Sequence, residues 1–252
     1  MEYIEIHKDN NTILRGMYHS SNNIDAIPVV IIHGYFSANR IGPQRLFVKL
    51  SNNIALNNFD VYRFDLSGMG ESDGDITEIE FDDHVHDVLL ILQKVRERHK
   101  SKKVCVIAHC LGCNVTIPNV IKNKDWFREI IFLAPYYTTK ETMASFFSEN
   151  SLAQLSEEHY TYRKGLYAHA SFFNASHQEC FIRQINNIPV MINVIIPKND
   201  QFISLDSNMK TFSNTKQVNL FFIENADHNF LETSEELIKL SVRLLNDEKF
   251  TI

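Results

Sequence analysis

This sequence predicts an α/β fold with a mostly parallel central sheet flanked by helices, and three observations carry that expectation. Short, β-branched apolar runs alternate with longer segments of helical periodicity. The runs are apolar throughout, which suits strands covered on both faces. At 252 residues, with 44% hydrophobic and 22% charged side chains, the chain has the size and composition to bury one large core. Residues 1–252 are therefore expected to form a single domain.

Taken in chain order, the segments "YIEIH" and "TILRGMYH", separated by "KDNN", read as an antiparallel hairpin at a sheet edge. Apolar runs at Val29 to Ile32, Val61 to Phe64, Val104 to Ala108, Ile130 to Ala134, Val190 to Ile196 and Val218 to Ile223 read as buried strands. Between them, Phe47, Leu50 and Ile54 recur at helical spacing, as do Phe81, Val85, Val88, Leu89, Leu92 and Val95. A third stripe, Leu237, Ile238, Ser241, Val242 and Leu245, lies near the C-terminus. Strand, helix and strand in repetition imply right-handed crossovers between parallel strands.

Residues 135–187 break this rhythm. They hold no long apolar strand, yet ten of the 53 are Tyr or Phe, against 11% aromatic residues overall. An inserted cap or lid over residues 136–187 would need such residues to cover a pocket. The same residues could equally be the insert's own small core.

Several function classes are disfavoured. A net charge of −6 with dispersed Lys and Arg argues against a nucleic-acid partner. The basic cluster from Arg96 to Lys103 reads as a solvated helix end. No apolar run approaches the roughly 20 residues needed to span a bilayer, and the start "MEYIEIHKDNN" is no signal peptide, so the expectation is a cytoplasmic protein without a membrane partner. Four cysteines, three of them at 105, 110 and 113, make no disulfide framework in a chain this long. Cys110-x-x-Cys113 has the spacing of half a zinc site or of a redox pair, but no second pair accompanies it, so no metal is expected. No phosphate-binding glycine loop is present either, and no cofactor is implied.

The chemistry concentrates at "KVCVIAHCLGCNV". A strand followed by a tight turn and a helix exposes the residue at the tip above the carboxyl ends of the strands, beside free N–H groups of a helix start. The tip here is Cys110, where a Gly-x-Ser-x-Gly pattern would carry Ser, and Ala108 and Gly112 supply the small neighbours. A helix N-terminus and a nearby imidazole both favour a thiolate. A nucleophile needs a base and a group to orient that base. In such a sheet they follow in the order acid then histidine, each in a loop after a strand. "PKNDQF" places Asp200 as the acid and "ENADHNF" places His228 as the base. Asp227 and Asp206 rival Asp200, but the first adjoins the base and the second falls in the following helix. Two N–H groups should hold the oxyanion. Leu111, after the nucleophile, offers one, and Tyr35 the other, with Phe36 as its rival and Gly34 permitting a sharp turn. His33 reads as a structural turn residue.

With these residues in view, the chain resembles the α/β-hydrolase superfamily, and within it is similar to feruloyl/cinnamoyl esterase-like hydrolases. The resemblance rests on "HGYFSANRIGPQRLFVKL", "VYRFDLSGMGESDGD", "AHCLGC", "PKNDQF" and "ADHNF". It runs from about residue 29 to the C-terminal helix, excepting the insert. It implies the α/β-hydrolase fold and acyl chemistry by a nucleophile, acid and histidine that fall on Cys110, Asp200 and His228, with oxyanion donors at Tyr35 and Leu111. Asp65, Gly68, Gly70 and Ser72 match a turn that shapes the scaffold in the family.

Sulfur at the tip departs from the family's serine. A thiol with a pKa of about 8.5 leaves a tetrahedral intermediate far more readily than an alkoxide, so alkyl esters tend to revert while thioesters and aryl esters go forward. The sequence thus points to acyl transfer or hydrolysis through an acyl-thioenzyme. The donor would be a small-molecule thioester or activated ester, free or carried by CoA or an acyl carrier protein. A feruloyl-type carboxylesterase, including one whose serine has been exchanged for cysteine, and a non-catalytic ligand-binding scaffold are the alternatives.

Overall fold

Six of the apolar runs and the N-terminal hairpin become the strands of one sheet. The computed structural model describes residues 1–9, 11–35, 38–139, 142–143, 147–163, 166–213 and 215–246. Its strands are β1 (Glu2–His7), β2 (Ile13–His19), β3 (Ile27–Ile32), β4 (Phe59–Phe64), β5 (Val104–His109), β6 (Phe127–Leu133), β7 (Tyr160–Arg163), β8 (Leu166–His169), β9 (Ile192–Pro197) and β10 (Val218–Ile223). The helices are α1 (Leu46–Leu56), α2 (Phe81–Arg98), α3 (Leu111–Lys122), α4 (Glu149–Glu158), α5 (Ala170–Ala175), α6 (Gln178–Asn186), α7 (Leu205–Phe212) and α8 (Ser234–Asn246).

Among the described residues the main sheet has eight strands in the order β1-β2-β4-β3-β5-β6-β9-β10. The hairpin sits at one edge, with β1–β2 and β2–β4 antiparallel. Every pairing from β4 to β10 is parallel. Alternate residues of each central strand feed two separate cores, as the period of two requires. Val30, Ile32, Val106, Ala108, Ile130 and Phe132 join the side chains of α2 and α3. Val29, Ile31, Cys105, Ile107, Ile131 and Leu133 join those of α1 and α8 on the opposite face.

Three strands depart from the sequence reading, each for a local reason. Strand β6 stops at Leu133 because Ala134 turns out of the sheet with a φ of +43°. Strand β9 starts at Ile192, since Met191 before it is 40% exposed and Val190 lies outside the ladder, partly buried against the core. The apolar run of β10 is an edge strand and mostly half-buried, with Phe222 36% exposed, because it pairs with β9 on one side and ends the sheet order on the other.

In α2 the buried stripe is Phe81, His84, Asp87, Val88, Ile91, Leu92 and Val95, so Val85 and Leu89 lie off its centre. The inward polar residues are paired. His84 Nε2 donates to the Ser67 carbonyl at 2.9 Å, and Asp87 accepts from Ser67 N–H at 2.7 Å and from Lys8 Nζ at 2.7 Å. The turn "DLSGMGESDG" is likewise a closed polar knot. The buried Asp65 carboxylate receives the Arg40 guanidinium, Arg40 N–H at 2.6 Å and Glu71 N–H at 2.9 Å. Gly70, at a φ of +55°, has no room for a Cβ against that carboxylate.

Between β6 and β9 the chain leaves the sheet and builds α4, the two-stranded β7–β8 ribbon, α5 and α6. Its Tyr136, Tyr137, Phe147, Phe172, Phe173 and Phe181 are buried and continuous with the core on the α2–α3 face. This segment therefore packs on the sheet's own core as well as on itself.

Candidate active site

Strand β5 ends at His109 and α3 begins at Leu111, which leaves Cys110 as the joint, with φ 56° and ψ −128°. That conformation is costly for a residue with a Cβ and persists where the surroundings hold it. Cys110 N–H donates to Leu133 O at 3.0 Å, and Cys113 N–H closes the turn onto Cys110 O at 3.1 Å. The side chain of Cys110 is half-buried, while Ala108, Leu111, Gly112 and Cys113 around it are buried. A Cβ on Gly112 would collide with the His33 carbonyl, so glycine lets α3 start against the end of β3. Gly34 serves a similar purpose. Its backbone is not left-handed, so the expected sharp turn is not what glycine supplies. A Cβ there would lie 2.8 Å from Cys110 Cβ and 3.3 Å from Cys110 Sγ, so glycine supplies the space for the tip residue.

Asp200 follows β9 and His228 follows β10, and parallel pairing of these strands brings the two loops together. His228 Nδ1–H donates to Asp200 Oδ2 at 2.8 Å. The other oxygen, Oδ1, accepts from the N–H groups of Phe202 at 2.7 Å and Ile203 at 3.2 Å, which fixes the carboxylate. His228 is 3% exposed and its Nε2 has no hydrogen-bond partner. Burial opposes charge on His228, but a negative charge on Cys110, the hydrogen bond to Asp200 and the contact with the Cys110 sulfur outweigh it and push its pKa up to about 10. The imidazolium form is therefore favoured, with Nδ1 engaged by Asp200 and Nε2 left for Cys110.

The two expected oxyanion donors lie beside this group. Leu111 is the first residue of α3, so its N–H has no acceptor within its own helix. Tyr35 directly follows Gly34, whose Cα borders Cys110. The Tyr35 ring is buried and stacked on Phe172 of α5, with centroids 4.0 Å apart. Phe36 lies outside the described residues.

The rivals are otherwise engaged. Asp206 lies in the first turn of α7. Asp227 Oδ1 accepts from Asn229 N–H at 3.2 Å and Leu231 N–H at 3.0 Å, shaping the loop that carries His228. His33 is a structural residue, its Nδ1–H donating to Gly34 O at 2.6 Å and its Nε2 accepting from Leu66 N–H at 3.1 Å.

Sequence reasoning passed over three residues that hold His228. The buried His109 donates from Nε2 to His228 O at 2.9 Å, and burial lowers its pKa to about 3, keeping it neutral. Gln201 Oε1 accepts from His228 N–H at 3.2 Å, and Phe202 packs edge-on against the His228 ring at 4.8 Å. The available signal was adjacency, since His109 precedes Cys110 and Gln201 and Phe202 follow Asp200. Among the described residues no group of three His, Cys, Asp or Glu side chains could hold a metal ion. No helix among them is long and apolar enough to cross a membrane.

A strand-turn-helix joint with Cys110 at its tip, a histidine held by an aspartate, and a sheet of this order are the features of an α/β-hydrolase fold. The chain belongs to the family described as serine aminopeptidase, S33, whose model matches residues 25–195, and the protein is an α/β-hydrolase enzyme. No curated protein matches it by sequence. Among solved structures it is similar to Est1E from Butyrivibrio proteoclasticus with ferulic acid bound, at 12% identity and a TM-score of 0.79, covering 96% of this chain and 97% of that one. It is similar to α/β hydrolase domain-containing protein 10 from mouse, at 17% identity and a TM-score of 0.76, over 98% and 99% of the two chains. The thioesterase domain from the curacin biosynthetic pathway aligns at 11% identity and a TM-score of 0.71, over 95% and 98%. At these identities the likeness is one of fold.

Proposed function

We propose that this α/β hydrolase works through a Cys110-His228-Asp200 triad and an acyl-thioenzyme, transferring or hydrolysing the acyl group of a thioester or activated ester. The observation that carries the reading is the orientation of His228. Asp200 holds Nδ1, while Nε2 is buried, unpartnered and coupled in charge to Cys110. In this reading the Cys110 thiolate attacks the acyl carbon, and the N–H groups of Tyr35 and Leu111 receive the oxyanion. His228 then gives its Nε2 proton to the departing thiolate or aryloxide. An acceptor, whether water, an amine or a thiol, next loses a proton to His228 and attacks the thioester carbon, releasing Cys110. The donor is a small-molecule acyl compound, free or carried by CoA or an acyl carrier protein, and the net charge of −6 disfavours a nucleic-acid partner. Residues 136–187 serve as the lid within a single 1–252 domain, and the enzyme works in the cytoplasm.

A second reading, a feruloyl-type carboxylesterase, is favoured by the stacking of Phe172 on Tyr35, which sets an aromatic wall of the insert beside the site. Intact-protein mass spectrometry with a panel of acyl thioesters and aryl esters tests both. The expected result is an acyl adduct that disappears in Cys110→Ala. No adduct, with turnover unchanged in that variant, would overturn the triad. Cys110→Ser then separates the two readings. A rise in aryl-ester hydrolysis favours the esterase, and a loss of acyl transfer favours the sulfur-dependent enzyme. Tight ligand binding without turnover, unaltered in His228→Ala, would replace both with a binding scaffold.

A further inference from the structure

The three clustered cysteines differ in which side of the sheet they face. Cys105 belongs to the core beneath α1 and α8, whereas Cys113 belongs to the opposite core, against which Cys110 also packs. Cys110 and Cys113 thus share a face. The bond from Cys113 N–H to Cys110 O, at 3.1 Å, closes a four-residue turn. Such a turn brings its end Cα atoms within about 7 Å, inside the separation that a disulfide can span. In a helix the Cα–Cβ bond tilts toward the N-terminus, which aims Cys113 back at the elbow. Its thiol donates to Ala108 O at 3.2 Å, so a rotation about one bond releases it. The two sulfurs also sense each other, for the charge on Cys110, after burial, raises the Cys113 thiol well above its usual range. Cys113 therefore stays a neutral thiol while Cys110 is half-exposed beside the His228 imidazolium. An accessible cysteine beside a histidine, next to a protected thiol, is the arrangement found in reversible redox sites.

We propose that Cys110 is a site of oxidation by hydroperoxides and that Cys113 captures the oxidised sulfur as a Cys110–Cys113 disulfide, protecting the nucleophile from irreversible loss. The inference rests on the reading of Cys110 as a thiolate nucleophile. In the first step the Cys110 thiolate attacks one peroxide oxygen. An S–O bond forms, the O–O bond breaks, and the second oxygen leaves as hydroxide, taking a proton to become water. The sulfur is oxidised by two electrons to a sulfenic acid and the peroxide is reduced. In the second step the Cys113 sulfur attacks Cys110 sulfur, the S–S bond forms, and the S–O bond breaks. The hydroxide released takes the Cys113 proton and leaves as water. Cys110 cannot hold an acyl group in this state, and an external dithiol restores both thiols.

The protein, titrated with hydrogen peroxide, then unfolded in urea, alkylated with iodoacetamide and weighed intact, tests this without an acyl substrate. The expected result is a loss of two hydrogens and of two alkylatable thiols, reversed by dithiothreitol, with fragment masses placing the bridge between Cys110 and Cys113 and Cys105 still alkylated. In Cys113→Ala, and in Cys113→Ser should the first fold poorly, Cys110 should instead gain two or three oxygens and keep them after dithiothreitol. Equal irreversible oxidation of the parent and of both variants would overturn the proposal, as would a bridge from Cys110 to Cys105 or Cys180. A reversible bridge in a protein that forms no acyl adduct would refute the acyl-transfer function while leaving this site standing. An acyl adduct without the bridge would do the opposite.

Discussion

Two buried charged groups sit at the carboxyl ends of this sheet, in its opposite halves, and they end differently. The Asp65 knot after β4 is closed: its carboxylate takes the Arg40 guanidinium and two backbone N–H groups, and Arg40 also reaches Glu71. The Asp200–His228 pair after β9 and β10 is closed on one side alone, because Nε2 of His228 is buried without a partner beside a strained, half-exposed cysteine. A satisfied group of this kind holds a loop in place. An unsatisfied one is held in readiness for another molecule, since burying it idle costs stability.

The contrast breaks most sharply at the tip. Cys110→Ala should abolish the acyl adduct and lower turnover by roughly 10⁴-fold or more, while urea denaturation shifts by less than about 1 kcal/mol. Asp200→Asn should lower acylation by roughly 10² to 10⁴-fold, because the amide no longer fixes the tautomer and charge of His228. Single-turnover kinetics would report it, and an unchanged rate would remove Asp200 from the reaction. The closed knot should answer in the opposite way. Asp65→Ala leaves Arg40 buried without its main partner and should cost about 3–5 kcal/mol in chemical denaturation, with the activity of the remaining folded protein preserved.

Smaller effects refine the comparison. Gly34→Ala should push Cys110 aside and lower acylation by roughly tenfold to a hundredfold, since misplacement of about 1 Å costs about 10²-fold. A crystal structure of the variant with Cys110 unmoved would count against that reason. The dependence on pH should have two flanks. The pKa of His228 is raised in the folded state to about 10 from 6.5, so its contribution is complete below about 6.5 and fades as pH rises toward 10. His109, His84 and His19 are held neutral by burial, with values lowered to about 3, 4 and 4. Below about 6.5 the unfolded chain binds protons there that the folded one refuses, so stability also falls on acidification. Urea midpoints measured on either side of about pH 6.5 should both lie lower.

The site was more legible than its supports. Cys110, Asp200 and His228 could be placed from sequence because each follows a strand in a fixed order, and a strand's end is visible in a run such as Val190 to Ile196 even when its limits shift by a residue or two. His109 escaped because its partner, the His228 carbonyl, is 119 residues away and no spacing encodes that pairing. The stripe of α2 was read slightly off centre because its inward residues include Asp87 and His84, polar groups that their bonds to Ser67 and, for Asp87, to Lys8 allow inside.

Local chemistry determined much of this protein: hydrophobic period set the strands and helices, and the small residues around Cys110 announced a tight joint between them. The tertiary structure decided which side chains meet. It sent Cys105 to one core and Cys113 to the other, made Gly34 a matter of space rather than of backbone freedom, and laid Phe172 on Tyr35. The reason is physical. Periodicity fixes the face a residue takes on its own element, but contact across a fold depends on how elements pack, and packing is settled by the whole chain at once.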